Sequence, residues 1–239
     1  ATLNFRSEYW KSVASSSRKD PNITSKDIRD FPIAYPAQHE QGSIAAALSD
    51  MDALISGLDQ LIAKKRDIKQ ATMQQLLTGQ TRLPGFSGEW EVKQLGELAD
   101  MGSGGTPPTG ISDYFNGTIP WVSIADMTKG GKLLLSTEKN LSEKGLNNCA
   151  AQVFPAGTVL YAMYASIGEC SIAGIPMATS LAILGIKPKG SLSAEFLYYW
   201  LLSVRASVKN LGQQGTQANL NAGMVRSFDI RLPNVAEQK

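Results

Sequence analysis

The sequence predicts an α+β protein: one mixed α/β globular domain joined to a long α-helix that forms an antiparallel coiled coil with a partner helix. Three observations lead to this fold class. Apolar residues recur at heptad spacing from Ile44, short apolar segments bounded by Gly or Pro occur after residue 83, and two segments near the ends of the chain repeat each other.

The long helix is predicted from an apolar stripe with 4-3-4-3-4 spacing. Its members, which form the expected dimer or coiled-coil interface, are Ile44, Leu48, Met51, Ile55, Leu58 and Ile62. We assign residues 41–82 to this segment, with Ser43 as its start signal and Gly79 followed by Pro84 as its stop signal. About 36 helical residues would extend over roughly 54 Å. A helix packed on its own domain is the alternative, but about three times the average helix length favours a partner helix.

Residues 83–233 are predicted to form the globular domain. Its expected elements are strands at 119–124, 157–162 and 181–186, a helix at 193–209 and a closing extended segment at 228–232. A Gly-rich loop at 101–110 matches neither nucleotide-binding pattern, and Pro107-Pro108 prevents a helix from starting directly behind it. A structured turn that carries polar groups to a ligand or to DNA is therefore favoured over a phosphate-binding loop.

An internal repeat joins the two ends of the chain. Residues 22–41 align without gaps on residues 219–238, and seven of the twenty pairs are identical, among them Phe31/Phe228 and Glu40/Glu237. The chain is thus one period with a short overlap. The long helix begins directly after Gln41, so a second helix is expected after Gln238 in a longer parent protein.

Composition and charge limit the function classes. The chain has 23 basic and 21 acidic residues, and residues 86–233 hold 11 of each. A domain that binds nucleic acid tightly on its own is usually more basic, so partners are expected to supply charge. No apolar run is long enough for a membrane span, and no signal peptide opens the sequence. Cys149 and Cys170 lack metal-site spacing, which favours two ordinary buried thiols in a cytoplasmic protein.

Catalytic motifs are missing from the sequence. The only histidine, His39, lies in the linker before the helix, and its repeat partner is Ala236. This argues against a histidine-based triad and against a zinc site. We therefore expect a non-catalytic chain without a metal.

Several segments together resemble the specificity subunit of type I restriction–modification enzymes. They are Gly104–Thr109, Tyr114-Phe115, Ile119–Met127, Tyr164–Gly168, Ala173–Ala178, Asn219-Leu220-Asn221 and Leu76–Phe86. The family's full subunit has two target recognition domains, each followed by a conserved helix, and the helices pack antiparallel. The resemblance implies a half-subunit or fragment. Residues 1–40 would be the remnant of a preceding recognition domain with its linker, 41–82 the conserved spacer helix, 83–233 the target recognition domain, and 234–239 the start of a truncated second conserved helix.

The resemblance also implies a function, partners and cofactors. The chain would read half of a bipartite site in double-stranded DNA and scaffold the methylation and restriction subunits, as a homodimer through the long helix. No cofactor is expected in this chain, whereas S-adenosylmethionine and Mg/ATP are expected on partner subunits. A helix of roughly 54 Å would separate two readers by about 16 base pairs of a symmetric, interrupted site. The alternative is a coiled-coil assembly or adaptor protein that does not bind DNA.

Polar side chains of the recognition domain are the expected DNA contacts, because amides and hydroxyls read base edges in the major groove. The candidate residues are Thr106, Thr109, Tyr114, Ser123, Lys129, Lys132, Tyr164, Gln213, Gln214, Thr216 and Gln217. A packing role competes with this role at Tyr164, and the amides could instead cap turns.

Overall fold

The first helical segment of the computed structural model is short and capped by its own sequence. The model describes residues 23–33, 35–212 and 220–238. Helix α1, Ser25–Arg29, begins with a capping box in which Thr24 and Asp27 exchange hydrogen bonds. The chain divides into two units, Ala1–Ala63 and Lys64–Lys239.

The long helix α2 runs over Gln38–Leu77 and has 40 residues, which corresponds to about 60 Å. The sequence placed its start signal at Ser43, and this was wrong. The Ser43 hydroxyl lies inside the helix and donates to the carbonyl oxygen of His39 at 3.1 Å. The helix starts after Pro36, and the Gln41 side chain donates to the Pro36 carbonyl oxygen at 2.8 Å. His39, expected in the linker, therefore belongs to the first turn of α2.

The C-terminal stop of α2 agrees with the sequence prediction. Gly79 has a φ of 74°, which glycine adopts without steric cost, and its N–H donates to the carbonyl oxygen of Leu76. The helical hydrogen bonds therefore end within two residues of Leu77.

The predicted seam of α2 is exposed along its whole length. No residue of α2 is buried, and the six seam residues are 47 to 61% exposed. An apolar stripe of this kind is normally covered by another element, so the partner helix stays a prediction.

Among its described residues, the second unit has three sheets, four further α-helices and a single α-helical turn. The strands are β1 Glu91–Gln94, β2 Ala99–Ser103, β3 Ile119–Val122, β4 Leu133–Leu134, β5 Lys139–Leu141, β6 Val153–Phe154, β7 Val159–Ala162, β8 Cys170–Ala173, β9 Met177–Thr179, β10 Ile183–Pro188 and β11 Asp229–Leu232. The helices are α3 Leu95–Leu98, α4 Ile124–Gly130, α5 Glu143–Asn147, α6 Ala194–Gly212 and α7 Ala222–Arg226, of which α3 is the single turn, and a 3-10 turn covers Ser112–Tyr114.

Helix α6 shares its apolar core with the five-stranded sheet and the β1–β11 pair, whereas a second apolar cluster joins the five-stranded sheet to the four-stranded one. The five-stranded sheet has the order β2-β10-β7-β8-β4, the four-stranded sheet β5-β3-β9-β6, and β1 pairs with β11. Strand β7 is buried at every position, and Leu197 and Leu201 of α6 are fully buried in the same apolar cluster as Tyr161. The predicted fold class of a mixed α/β domain with a long helix is thus confirmed.

The strand directions define two opposite ends of the five-stranded sheet in the second unit. Strands β2 and β7 finish where β10 begins, and we call this the loop end, formed by residues 104–106, 123, 163–169, 179–182 and 220. The opposite end of β10 leads to α6, and we call it the junction end, formed by residues 82, 88–90, 99, 188–193 and 233–238. Helix α6 starts near the junction end, and its residue Arg205 packs against Gly168 of the loop end.

Candidate functional site

Backbone hydrogen bonds bring separate loops together at the loop end. The N–H of Gly104 donates to the carbonyl oxygen of Ile183 at 3.1 Å. The N–H of Met163 donates to Ala182 at 2.9 Å, and the N–H of Leu220 donates to the carbonyl oxygen of Met163 at 3.1 Å. The Gly-rich loop, the β7–β8 hairpin loop, the β9–β10 turn and the segment that opens α7 therefore form one surface.

The Gly-rich loop is a close-packed turn. A Cβ atom on Gly104 would lie 2.2 Å from the Thr179 hydroxyl oxygen, and one on Gly105 would lie 2.2 Å from the backbone nitrogen of Ala151. The indole N–H of the buried Trp121 donates to the carbonyl oxygen of Gly105 at 3.0 Å. Glycine is required here because neighbouring backbone occupies the space of a side chain. Trp121 is thus a buried residue that packs under the Gly-rich loop.

Three of the predicted contact residues meet at this surface: Thr106, Ser123 and Tyr164. Thr106 is exposed, and its hydroxyl oxygen accepts a hydrogen bond from the backbone N–H of Leu181 at 3.3 Å. Tyr164 is half-buried in the hairpin loop and packs against the main core. Ser123 comes directly after β3, whose Val122 accepts a hydrogen bond from the N–H of Ser180.

The hydroxyl of Ser123 caps helix α4. It donates to the Asp126 carboxylate at 2.6 Å and accepts from the Asp126 N–H at 3.3 Å. Partial burial works to raise the pKa of Asp126, but hydrogen bonds from Ser123 and from the backbone of Glu138 outweigh it and hold that pKa below its usual range. Capping therefore engages the same hydroxyl that the sequence proposed for DNA.

Other predicted contact residues lie elsewhere or are already paired. Tyr114 is 8% exposed, and the ammonium of Lys144 lies 5.9 Å from its ring centroid. Thr109 is exposed in a turn, and Lys129 is exposed with its ammonium 3.9 Å from the Glu138 carboxylate. Gln213, Gln214, Thr216 and Gln217 lie outside the described residues.

Lys132 forms a paired cluster away from the loop end. Its ammonium donates to the Glu195 carboxylate at 2.9 Å and lies 4.9 Å from the centroid of the Tyr199 ring. The Glu195 hydrogen bond raises the pKa of Lys132. The ammonium of Lys69 on α2 lies 5.7 Å from the same ring. A role in holding the C-terminal part of α2 on the domain competes with the predicted DNA contact.

Sequence reasoning missed a partly buried support for the hairpin loop. Arg205 of α6 donates to the Glu169 carboxylate at 2.6 Å. The two residues are 36 positions apart, and no local pattern pairs them. The one available signal was Gly168, which closes the motif Tyr164–Gly168 and has a φ of 80°.

Glu237 and Gln238, the last two residues of the repeat, make side-chain contacts at the junction end. The Glu237 carboxylate accepts two hydrogen bonds from the Arg82 guanidinium, which also lies 5.4 Å from the Trp90 ring centroid. The Gln238 amide donates to the carbonyl oxygens of Ser191 and Pro233, both at 2.9 Å. These two side chains anchor the segment that leaves β11.

Metal-binding clusters and membrane-spanning helices are both missing from the described part of the chain. Its residues contain no group of three or more His, Cys, Asp or Glu side chains that could hold a metal ion. Within the same residues, no helix is long and apolar enough to span a membrane. Both described cysteines are free thiols, and Cys170 is buried as expected whereas Cys149 is half-buried.

A family model for the type I restriction modification DNA specificity domain matches residues 87–239. This range contains the globular domain, with both its loop end and most of its junction end. The chain belongs to this family. The loop end is thus a surface of a type I specificity domain, and it is formed by several of the segments that resemble the family.

The chain is also similar in sequence to individual specificity subunits, to one of them over nearly its whole length. The MjaIX specificity subunit of Methanocaldococcus jannaschii is 30% identical over 154 residues, which is 63% of this chain and 36% of that protein. The EcoR124I/EcoR124II specificity subunit of Escherichia coli is 24% identical over 97% of this chain and 59% of its own length. The matched regions thus span between about a third and three fifths of these relatives.

A solved structure shows the same fold. It is a chain from a type I R-M system whose complex assembly and conformational transition were studied, with a TM-score of 0.65 and 22% identity. The alignment covers 97% of this chain and 57% of that chain. The fold of the long helix and of the sheet-based domain therefore recurs in that structure.

Proposed function

We propose that this chain is the DNA sequence-recognition component of a type I restriction–modification complex and reads one half of a bipartite site. The observation that carries the proposal is the loop end, where loops from distant parts of a family specificity domain form one surface with exposed Thr106 and half-buried Tyr164. Hydroxyl and phenol groups fixed on a rigid scaffold suit base-edge and phosphate contacts.

Charge supports a reader that works within a complex. The domain carries 11 basic and 11 acidic residues between positions 86 and 233, so it offers little net attraction for phosphates. Methylation subunits, which would bind S-adenosylmethionine, and restriction subunits, which would use Mg/ATP, are the proposed partners. This chain is the non-catalytic component, and it acts in the cytoplasm where those subunits meet DNA.

The long helix is the proposed spacer and dimer interface. Its exposed heptad seam fits an antiparallel pairing with α2 of a second copy. The 40-residue helix extends over about 60 Å, or about 18 base pairs at ~3.4 Å each, slightly more than the sequence suggested. Two identical readers would require a symmetric, interrupted site.

The repeat supports the proposed domain boundaries. Leu220, Val225 and Ile230 are at most 1% exposed and pack into the domain core. Their repeat partners Ile23, Ile28 and Ile33 are 51 to 65% exposed. The same apolar pattern is thus buried in one copy and uncovered in the other. This favours residues 1–40 as the closing segment of another recognition domain and 234–239 as the beginning of another helix.

Sequence selection tests the proposed reading of DNA. The full chain, assembled with methylation subunits, is used to select binders from a random duplex library, and dissociation constants are then compared for selected and scrambled duplexes. We expect an interrupted consensus and a preference of about a thousandfold or more. Equal binding of all duplexes would contradict the proposal and support the assembly or adaptor function instead.

Light scattering tests the helix pairing. Leu48→Lys places a charge in the seam, and Ala53→Lys adds the same charge at the opposite heptad position. We expect the wild type and Ala53→Lys to have the mass of a dimer and Leu48→Lys that of a monomer. A monomeric wild type at micromolar concentration would refute homodimerisation while leaving the DNA-binding test intact.

A further inference from the structure

The β7–β8 hairpin loop at the loop end has a strained backbone. Ala165 has a φ of 57°, and it is the one non-glycine residue with positive φ in the described part of the chain. Gly168 has a φ of 80°, and a Cβ there would lie 2.6 Å from Cγ of Arg205. The conformation of Ala165 costs free energy and persists where surrounding contacts impose it, whereas glycine adopts the positive φ of Gly168 without steric cost.

An ion pair between α6 and the end of the loop supplies such contacts. Arg205 reaches across Gly168 from α6 and donates to the Glu169 carboxylate at 2.6 Å, with the two side chains 30 and 22% exposed. The backbone of Glu169 is hydrogen-bonded to the hairpin. Its N–H donates to the carbonyl oxygen of Ser166 at 3.0 Å, and its carbonyl oxygen accepts from the N–H of Ala162 at 2.9 Å. The ion pair therefore links the base of the β7–β8 hairpin loop to helix α6.

The surroundings of the pair have a low polarity. Tyr161 and Cys170 flank it on β7 and β8, are at most 2% exposed, and join the main apolar cluster. Burial raises the pKa of the Cys170 thiol to about 12 and also raises the pKa of Tyr161. An ion pair in such a setting is less screened by salt than a fully exposed pair.

The loop held in this way borders the other reading elements. Met163, at its start, bonds to Ala182 of the β9–β10 turn and to Leu220. A shift of the hairpin would therefore displace Tyr164 and its neighbours relative to Thr106 on the adjacent loop. Because base discrimination depends on donor and acceptor geometry, such a shift reduces selectivity more than it reduces phosphate contact.

We propose that Arg205 and Glu169 are positioning residues for DNA reading: their ion pair fixes the hairpin loop 163–169 and thereby sets the sequence preference of the loop end. This inference rests on the proposed function. The pair itself touches no base, and it acts through the loop that it holds.

The test compares two partly buried Arg–Glu ion pairs at opposite ends of the domain. Arg205→Ala breaks the loop-end pair, and Arg82→Ala breaks the partly buried Arg82–Glu237 pair at the junction end. Each variant of the full chain, assembled with methylation subunits, binds the duplex selected by the wild type and a scrambled duplex, and its melting temperature is recorded. Arg205→Lys retains the charge and the single hydrogen bond to Glu169, so it is the conservative rescue.

We expect Arg205→Ala to lose about tenfold or more of the preference for the selected duplex with little change in binding to the scrambled one. Arg205→Lys should recover most of this preference. Arg82→Ala should retain the full preference even though its melting temperature falls. Glu169→Gln gives the same reading if Arg205→Ala does not fold. An unchanged preference in Arg205→Ala or Glu169→Gln would overturn the inference alone, whereas a wild type without any preference would overturn the proposed function and the inference with it.

Discussion

Replacement of Gly104 by alanine should strongly destabilise the specificity domain. The added Cβ would lie 2.2 Å from the Thr179 hydroxyl oxygen, 2.3 Å from the carbonyl oxygen of Ser180 and 2.4 Å from that of Thr179. The two carbonyl oxygens belong to the backbone at the end of β9 and the start of the β9–β10 turn, so they cannot rotate away as a side chain can. The two chain segments must separate by about 1 Å or more to restore ordinary contact.

The size of the effect depends on the contacts that this separation disrupts. Overpacking typically costs about 1 to 3 kcal/mol. The hydrogen bonds from Gly104 to Ile183 and from Gly105 to Thr179 would also weaken, at about 1 kcal/mol each. We expect a total loss of about 3 to 5 kcal/mol, which lowers the melting temperature of a domain of this size by about 10 °C.

Thermal and urea unfolding followed by circular dichroism measure the effect. Gly110→Ala is the matched control, because an added Cβ there meets no described atom within 4 Å and its φ is not positive. That control should leave stability unchanged or raise it by about 0.5 kcal/mol. Equal melting temperatures for the two variants would refute the conclusion that backbone crowding imposes glycine at position 104.

Three further predictions concern individual side chains. Tyr161→Phe should raise stability by about 1 kcal/mol in urea unfolding, because the buried Tyr161 hydroxyl has no hydrogen-bond partner among the described residues; a loss would mean that it is bonded. Arg82→Ala should cost about 3 kcal/mol, since it leaves the 5% exposed Glu237 carboxylate unpaired, and a melting temperature within about 1–2 °C of the wild type would contradict that reasoning. Asp126→Asn should lower the melting temperature at neutral pH. Its deficit should shrink as the pH falls below 3.8, because a depressed folded pKa gives stability that is lost as the carboxylate is protonated; a deficit independent of pH would argue against it.

Periodicity predicted the elements whose side chains repeat on a regular face. The 4-3 spacing from Ile44 identified α2, and apolar segments bounded by Gly or Pro identified β3, β7 and β10. Strands β4 and β6 have two residues each, too few to show any alternation. The start of α2 was misplaced because its first turn, residues 38–41, is polar and lies outside the apolar repeat that begins at Ile44.

The candidate site was predictable in its parts and not in its arrangement. Thr106 and Tyr164 came from segments that resemble the family, but their proximity depends on the order β2-β10-β7, which no local pattern specifies. The Arg205–Glu169 pair arises where a helix crosses a hairpin. Pairing of this kind is a product of tertiary packing, so single-sequence reasoning had no means of finding it.

Side-chain hydrogen bonds connect the segments of the junction end, whereas backbone hydrogen bonds connect most of those at the loop end, and the two ends therefore tolerate substitution differently. At the junction end, side chains such as Arg82 and Gln238 make the connections, so a single substitution there removes them. At the loop end, most connections join backbone N–H and carbonyl groups, which nearly every amino acid supplies. Side chains at the loop end can therefore vary without loss of these backbone connections, although the Thr106 hydroxyl itself accepts one hydrogen bond, from the Leu181 N–H.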